Sequence, residues 1–210
     1  MIIDSLVLND FRVYSGYQEI KLSPKEKYGH KRPIILFGGL NGAGKTSILL
    51  AVKLALYGRL SMGPLSSKTA YHEFLAGCIH KPINALVKPN AAFVELKFSF
   101  GKLGEIFHYR VRRSWILEGK KLKESVRIWD GDEEMRELSQ EACEGFLNKL
   151  IPVGVSELFF FDGEKIAELA EDSSGKALGD AIKRLLGLDA VDRLRNDLRV
   201  YAFRKQILKD

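Results

Sequence analysis

The sequence predicts an α/β fold, in which a mixed β-sheet and an antiparallel β-subdomain pack with helices. A short apolar segment at 34–37 passes through a glycine-rich bend into an amphipathic run at 46–57. Segments 91–100 and 105–117 alternate apolar and polar residues, which is the pattern of half-buried antiparallel strands. From residue 188 the chain is charged, and its apolar residues step by threes and fours. We expect it to end at the start of a coiled coil, where a longer protein was cut; an ordinary terminal helix is the alternative.

Composition and charge restrict the class of protein. The chain has 210 residues, of which 46% are hydrophobic, a net charge of +6 and two cysteines. No apolar run is long enough to cross a membrane, and the N-terminus does not have the pattern of a signal peptide. We therefore expect a reduced, cytoplasmic protein with no membrane partner. The basic balance favours an anionic partner only modestly.

The first half predicts strands around the bend. Residues 2–11 form one strand and 17–22 a second, with Ser15-Gly16 as the turn between them. The polar segment 23–33 is expected to be an exposed loop. Residues 34–37 (IILF) are short, apolar and β-rich, and predict a buried strand. The following helix, 46–57, ends at Gly58.

The second half predicts an antiparallel meander and more helices. A short helix is expected at 68–77, and a connection broken by prolines follows it. Two long strands and a third at 124–132, with a turn at Asp130-Gly131, form the meander. A helix at 137–151 and a strand-to-helix bend at Asp162-Gly163 complete the predicted elements.

The glycine-rich bend satisfies the P-loop pattern G-x-x-x-x-G-K-[ST]. Glycines let the backbone turn its N–H groups around an anion, and the helix N-terminus adds partial positive charge. The Lys45 ammonium reaches the β- and γ-phosphates, and the Thr46 hydroxyl ligates Mg²⁺. We therefore predict that the chain binds ATP and Mg²⁺ as a P-loop NTPase; a glycine-rich turn without a ligand is the alternative. The predicted nucleotide contacts in this bend are Gly39, Asn41, Gly42, Ala43, Gly44, Lys45, Thr46 and Ser47.

A basic stripe follows the second long strand of the meander. Period-two alternation puts Tyr109, Val111, Arg113 and Trp115 on one face and the remaining cations on the other. Clustered cations can contact the DNA backbone without reading sequence. A solvated sheet face with a charged hairpin tip is the alternative. The candidate DNA contacts are Arg110, Arg112, Lys120, Lys121 and Lys123.

Several segments resemble the SMC and SbcC/RecF group of chromosome and repair ATPases. The loop interior GLNGAGKTS has Asn41 where ABC transporters usually have Ser. The opening segment LVLNDFRVYSGYQEIKL is similar to the group's first strand, in which an arginine lies beside the nucleotide phosphates. This resemblance implies that Arg12 contacts the nucleotide, with a solvated loop arginine as the alternative.

The segment LFFFDGEKIAEL resembles the Q-loop of the same group, at 157–164. The group usually has Gln where this chain has Asp162, and that Gln helps to position Mg²⁺ and the attacking water. A carboxylate can hold Mg²⁺ directly or through water. The resemblance therefore implies Asp162 as a metal and catalytic residue together with Lys45 and Thr46; a helix N-cap is the alternative.

The segment IKRLLGLDAVDRL resembles the group's exit from the globular lobe into the coiled coil. It implies an N-terminal lobe of an ABC-type ATPase head at 1–187 and the start of the coiled-coil arm at 188–210. The Asp at the Q-loop position together with LLGLD most resembles the DndD family, the SMC-like ATPases of bacterial DNA phosphorothioate modification. DNA and other sulfur-modification proteins are then the implied partners.

The acidic Mg²⁺ ligand and signature motif that complete such a site do not follow the bend in this sequence. GDEEM at 131–135 is acidic, but it is predicted to be a hairpin tip. The resemblance implies that a C-terminal lobe supplies these residues, that two heads dimerise on ATP, and that this chain alone hydrolyses ATP negligibly. The alternatives are an SbcC/RecF-type repair ATPase, a self-contained P-loop kinase or transporter subunit, and a structural coiled-coil partner with a vestigial site.

Overall fold

The structure is a computed structural model, and it describes residues 1–27, 29–63, 65–83, 86–153, 159, 160, 195, 198 and 201. The chain divides into two compact units, Met1–Leu150 and Ile151–Asp210. The first unit contains every strand and helix whose bounds are given below. Among the described residues, no helix is both long enough and apolar enough to cross a membrane.

A six-stranded antiparallel sheet forms the centre of the first unit, with the strand order β2-β1-β5-β6-β7-β8. A separate short hairpin pairs β3 with β4 inside the predicted exposed loop. The strands are β1 Ile2–Phe11, β2 Tyr14–Lys21, β3 Lys25–Lys27, β4 His30–Arg32, β5 Ala91–Lys102, β6 Glu105–Glu118, β7 Lys121–Asp130 and β8 Glu133–Glu134. The helices are α1 Lys45–Tyr57, α2 Lys68–Gly77 and α3 Gln140–Leu150, and a 3-10 turn at Gly58–Met62 follows α1.

The core lies between one face of the sheet and the helices. α1 buries Ala51, Val52, Leu54 and Ala55 and contacts β5, β6 and α3. Alternate side chains of the central strands meet it, because successive residues of a strand point to opposite faces. The predicted inner face of β6 is confirmed, since Tyr109, Val111, Arg113 and Trp115 are all buried.

Arg113 is the unexpected member of this inner face, because its side chain is 0% exposed. Its Nη1 donates to Glu124 on β7 at 2.7 Å and lies 3.5 Å from Glu144 on α3. The Tyr71 hydroxyl of α2 donates to the same Glu124 oxygen at 2.7 Å. Burial lowers the pKa of the Arg113 guanidinium, but Tyr71 and the two carboxylates together outweigh burial, so its pKa lies above its ordinary value. This buried ion cluster ties four elements together behind α1.

Most of the predicted elements are confirmed. α1 ends at Gly58, whose N–H donates to the Leu54 carbonyl and whose φ is 50°. The helix at 68–77 and the meander are present, and GDEEM forms the turn into β8, not a strand-end metal ligand. α3 begins at Gln140, later than predicted, because the Ser139 hydroxyl accepts from the Ala142 N–H as an N-cap does.

Two predictions about the strands around the bend are wrong. The first turn lies at Arg12-Val13, because Phe11 pairs with Tyr14, and Ser15 and Gly16 are part of β2. Residues 34–37 are described without a strand, and Ile34 and Leu36 are 79% and 89% exposed. A buried strand needs a neighbour that accepts and donates its backbone hydrogen bonds. No described strand supplies one, so the expected mixed sheet is antiparallel wherever the structure describes it.

The remaining predictions lie outside the described residues. These are the Q-loop-like segment 157–164 apart from Phe159 and Phe160, Asp162 itself, and the boundary at 187. Of the coiled-coil segment the structure describes Arg195, Leu198 and Tyr201, which are helical.

Candidate functional site

The glycine-rich bend leads directly into the N-terminus of α1. Gly44 occupies the N-cap position with φ 96° and, within the described chain, no side chain caps the helix. The first N–H groups of a helix have no intrahelical acceptor, so in α1 those groups are available to an anion. The first turn contains no acidic residue that would compete for them.

The Lys45 side chain folds back across the bend. Its Nζ donates to the carbonyl oxygens of Gly39 at 2.7 Å and Leu40 at 2.9 Å. The Ala43 N–H donates to the same Leu40 carbonyl at 3.1 Å, which makes the bend compact. An ammonium has three N–H donors, so one remains for a phosphate oxygen while two hold the loop.

The turn between β1 and β2 packs against the bend at Gly44. A Cβ at position 44 would lie 2.6 Å from Val13 Cγ2 and 2.9 Å from the Tyr14 hydroxyl oxygen. The Tyr14 hydroxyl donates to the Gly44 carbonyl at 3.2 Å. Burial raises the pKa of the Tyr14 phenol, so its proton is retained for this bond. Only glycine fits this close approach and the positive φ together.

These elements enclose a cavity of about 340 Å³ over the N-terminus of α1. It contains two cations, Arg12 and Lys45, and the residues that line it in the described chain include no carboxylate. The lining residues are Arg12, Val13, Asn41, Gly42, Gly44, Lys45, Thr46 and Ser47. Positive side chains and free backbone N–H groups around a cavity of this size suit a polyphosphate.

The structure brings the predicted P-loop residues and Arg12 to one site, although Arg12 is 33 positions from Lys45 in sequence. Gly39 and Ala43 do not line the cavity, but they build the bend beneath it. Their contact is close, since a Cβ on Gly39 would lie 3.0 Å from the Ala43 Cβ.

Of the two residues predicted to hold Mg²⁺, the structure describes Thr46 and not Asp162. Thr46 is exposed in the first turn of α1 and lines the cavity, as a residue whose hydroxyl would hold Mg²⁺ must. Among the described residues no three His, Cys, Asp or Glu side chains form a metal cluster. A hard cation with a phosphate ligand needs few protein ligands, so one hydroxyl beside a cavity that suits a polyphosphate is compatible with Mg²⁺.

The predicted basic stripe on β6 is largely engaged within the protein. Arg112 Nε donates to Glu95 at 2.7 Å, and that carboxylate is 4% exposed. The Arg110 guanidinium lies 4.2 Å from the centre of the Trp129 ring. Both arginines thus have partners on neighbouring strands, which restricts them as phosphate contacts.

The lysines at the β6–β7 turn have a different environment. Together with α2 they line a groove of about 550 Å³. Lys123 pairs with Glu118 at 2.6 Å, and Glu73 of α2 also lines the groove. We call it the lysine groove; its cationic and polar lining residues are Lys68, Thr69, His72, Lys120, Lys121 and Lys123.

The contacts of Val13, Tyr14 and His80 with this site were not predicted from the sequence. His80 follows α2, and its Nδ1 lies 2.6 Å from the Arg12 carbonyl oxygen. No spacing rule links a residue near position 80 with a strand turn near position 12. The only sign of these contacts in the sequence is that Val13 and Tyr14 directly follow Arg12.

Comparison with known proteins supplies one match. The sequence model of a family described as an AAA domain matches residues 5–209. No curated protein matches the chain. The matched range includes the bend, the β1–β2 turn and the helices α1, α2 and α3.

Proposed function

Since the chain belongs to the AAA domain family, we propose that it binds ATP with Mg²⁺ at the glycine-rich bend and forms one lobe of a DNA-acting ATPase head. Family membership supports an SMC-like ATPase head, with ATP binding and ATPase activity as general properties. The roles of individual residues, the DNA partner and the partner lobe are proposals.

The observation that carries the proposal is the cavity over the N-terminus of α1. The Arg12 side chain, an uncapped helix start and the Lys45 ammonium held across the bend converge there. The Lys45 ammonium and the first-turn N–H groups bind the phosphates, and the Thr46 hydroxyl orients the metal. Bound Mg²⁺ supplies charge neutralisation on the phosphate oxygens.

Calorimetric titration of the chain with ATP and Mg²⁺ tests this site. We expect Lys45→Ala to weaken ATP binding at least about tenfold, because a charge-assisted contact to phosphate is lost. Lys53→Ala, in α1 but outside the cavity, is the matched control and should bind like the original chain. Equal affinities for the original chain and the Lys45→Ala variant would refute the proposal.

We further propose that a C-terminal ATPase lobe completes the site, and that two such heads form a homodimer on binding ATP. The support is the exposed apolar segment 34–37, which has strand-forming residues but no partner strand in the described chain. The chain alone would then turn over ATP negligibly. Phosphate-release assays should show much higher turnover when a C-terminal lobe is supplied; turnover within about threefold without it would overturn this.

As a DNA contact surface, the lysine groove is better supported than the outer face of β6. The two arginines of that face have partners, whereas Lys120 and Lys121 line the groove together with Lys68. Backbone phosphates need clustered, accessible cations of this kind. The groove therefore extends the predicted DNA contacts from the hairpin to α2.

Salt-dependent filter binding tests the groove. Changing Lys68 and Lys121 to Glu should weaken DNA binding and reduce the slope of log affinity against log salt by about one or two units. Changing Lys97 and Lys102 to Glu, both on β5 outside the groove, is the charge-matched control. An unchanged slope in the groove variant would exclude the groove as the contact.

Within the SMC-like group we propose the DNA phosphorothioate branch, on the resemblance of the 157–164 and LLGLD segments to DndD. Other sulfur-modification proteins would then be its partners, in a cytoplasmic complex. Mass spectrometry of digested DNA, with and without the encoding gene, should detect phosphorothioate dinucleotides only in its presence. Unchanged dinucleotides together with sensitivity to DNA breaks would favour the SbcC/RecF-type repair alternative.

A further inference from the structure

The turn that carries Arg12 has a strained backbone. Asp10 and Arg12 have φ values of 47° and 53°, and neither is glycine. A non-glycine residue in the left-handed region is strained, so two in one turn require support from their surroundings. Phe11 between them is 0% exposed and packs edge-on against Trp115, with ring centres 6.0 Å apart.

Within the turn, the Gly16 N–H donates to the Asp10 carboxylate at 2.8 Å. One segment outside the turn, at the end of α2, supports both strained residues. The Arg12 N–H donates to the Cys78 carbonyl at 2.8 Å, and the His80 N–H donates to the Asp10 carbonyl at 2.7 Å. Phe11 also bridges to Ile79 in an antiparallel pairing. These backbone bonds hold both strained residues from the same side.

A side chain adds the last bond. His80 Nδ1 lies 2.6 Å from the Arg12 carbonyl oxygen, and because a carbonyl only accepts, Nδ1 carries the proton and donates. Of these bonds between residues 78–80 and the turn, it is the one made by a side chain, so a substitution can remove it without changing the backbone. It acts on the residue whose side chain lines the ATP cavity.

We propose that His80 is a positioning residue for the nucleotide site: its imidazole holds the Arg12 backbone in the left-handed conformation that directs the guanidinium to the phosphates. This inference rests on the proposed ATP site. A site binds most tightly when its contact residue is locked by a second residue that does not itself touch the ligand. Without the imidazole bond the Arg12 carbonyl loses this donor, and only the bond from the Arg12 N–H to the Cys78 carbonyl still holds the residue from this segment. The left-handed conformation is then held less firmly, and the guanidinium is less well directed.

A double-mutant cycle tests the proposal on the full 210-residue chain. The variants are His80→Leu, Arg12→Ala and the pair together, with Kd for ATP and Mg²⁺ measured by calorimetry. We expect His80→Leu to weaken binding about three- to tenfold, as the loss of one hydrogen bond would. The pair should bind no more weakly than Arg12→Ala alone, because His80 acts through Arg12.

The conservative variant His80→Asn should bind within about twofold of the original chain, because its amide nitrogen occupies the same bonded position as Nδ1. His80→Gln carries its amide one methylene further out and should behave like His80→Leu. If His80→Leu does not fold, the comparison of the Asn and Gln variants decides, and equal affinities for those two would overturn the proposal.

The other outcomes are distinct. If the fold-losses in ATP affinity of the two single variants multiply in the double variant, the proposal is overturned, because His80 then acts independently of Arg12. If Arg12→Ala binds like the original chain while Lys45→Ala does not bind, the ATP site stands and the roles of both His80 and Arg12 fall. If Lys45→Ala also binds normally, the proposed function itself fails.

Discussion

The Tyr14 hydroxyl donates to the Gly44 carbonyl at 3.2 Å, which joins residues 30 positions apart. This bond connects the β1–β2 turn to the N-terminus of α1. Val13 packs on the same glycine. The turn that presents Arg12 and the bend that presents Lys45 are therefore parts of one structure, and a change at their contact should disturb both cations of the cavity.

Gly44→Ala should abolish measurable ATP binding and also destabilise the fold. The new methyl would lie 2.6 Å from Val13 Cγ2, and the backbone at φ 96° disfavours any side chain. Overpacking of this kind costs about 1–3 kcal/mol, before the strain is added. Calorimetric titration with ATP and urea unfolding measure the two effects.

Gly38→Ala is the matched control, since a Cβ there meets nothing within 4 Å and its φ is ordinary. It should change neither stability nor affinity by more than about 0.5 kcal/mol. A Gly44→Ala variant that bound ATP normally would show that the contact between turn and bend does not matter for the site.

Much of this site could be predicted from sequence, because the P-loop pattern is local. Lys45 and Thr46 follow a fixed spacing of glycines, and the helix after them has clear periodicity. The closing of the β1–β2 turn on Gly44 depends on long-range packing, and no pattern of the sequence encodes it. The role of Arg12 was inferred from a resemblance alone, and the structure adds the cavity that it shares with Lys45.

Arg113→Met should lower the free energy of unfolding by about 3–5 kcal/mol. The guanidinium is fully buried, and its loss leaves Glu124, which is 7% exposed, as an uncompensated carboxylate. Changing Glu124 to Gln in the same chain should recover part of that loss, because the stranded charge is removed. Urea unfolding of the single and double variants measures both changes.

Lys123→Met provides the comparison for a surface ion pair. Lys123 and Glu118 are 66% and 50% exposed, so their 2.6 Å contact should contribute about 0–1 kcal/mol. Equal losses in Arg113→Met and Lys123→Met would contradict a structural role for the buried cluster. Alternation predicted that Arg113 faces inward, but its carboxylate partners lie 11 and 31 positions away and could not be predicted.

Replacing Ile34 and Leu36 by Thr should leave the stability of this chain unchanged within about 0.5 kcal/mol. Their side chains are 79% and 89% exposed, so little apolar surface returns to water on unfolding. Leu54→Ala, at 0% exposure in α1, should instead cost about 2–5 kcal/mol. Thermal or urea unfolding compares the three proteins, and a large loss in the Thr variant would mean that the segment is buried in solution.

The exposure of Ile34 and Leu36 also shows why the prediction of a buried strand at 34–37 is wrong. An apolar β-rich run indicates that a segment can be buried, but burial also requires a neighbouring strand. If a C-terminal lobe supplies that strand, the Ile34 and Leu36 variant should bind the lobe more weakly while its own stability stays constant. Unchanged binding to the lobe would separate the segment from the proposed interface.

Alkaline pH should destabilise the chain through Cys78, a buried thiol. Burial raises its pKa from the ordinary value of 9.0 to about 11, although Arg12 opposes this shift. As pH rises past the ordinary value the unfolded thiol ionises first, which favours the unfolded state, so the stabilisation present below pH 9 is lost by about pH 11. Burial also raises the pKa of Tyr57, to about 12, which adds to the decline in every variant. Urea unfolding at about pH 8 and about pH 10 measures this effect. The free energy of unfolding should decline less between these pH values in Cys78→Ala than in the original chain. Equal declines would mean that the thiol is not buried as described.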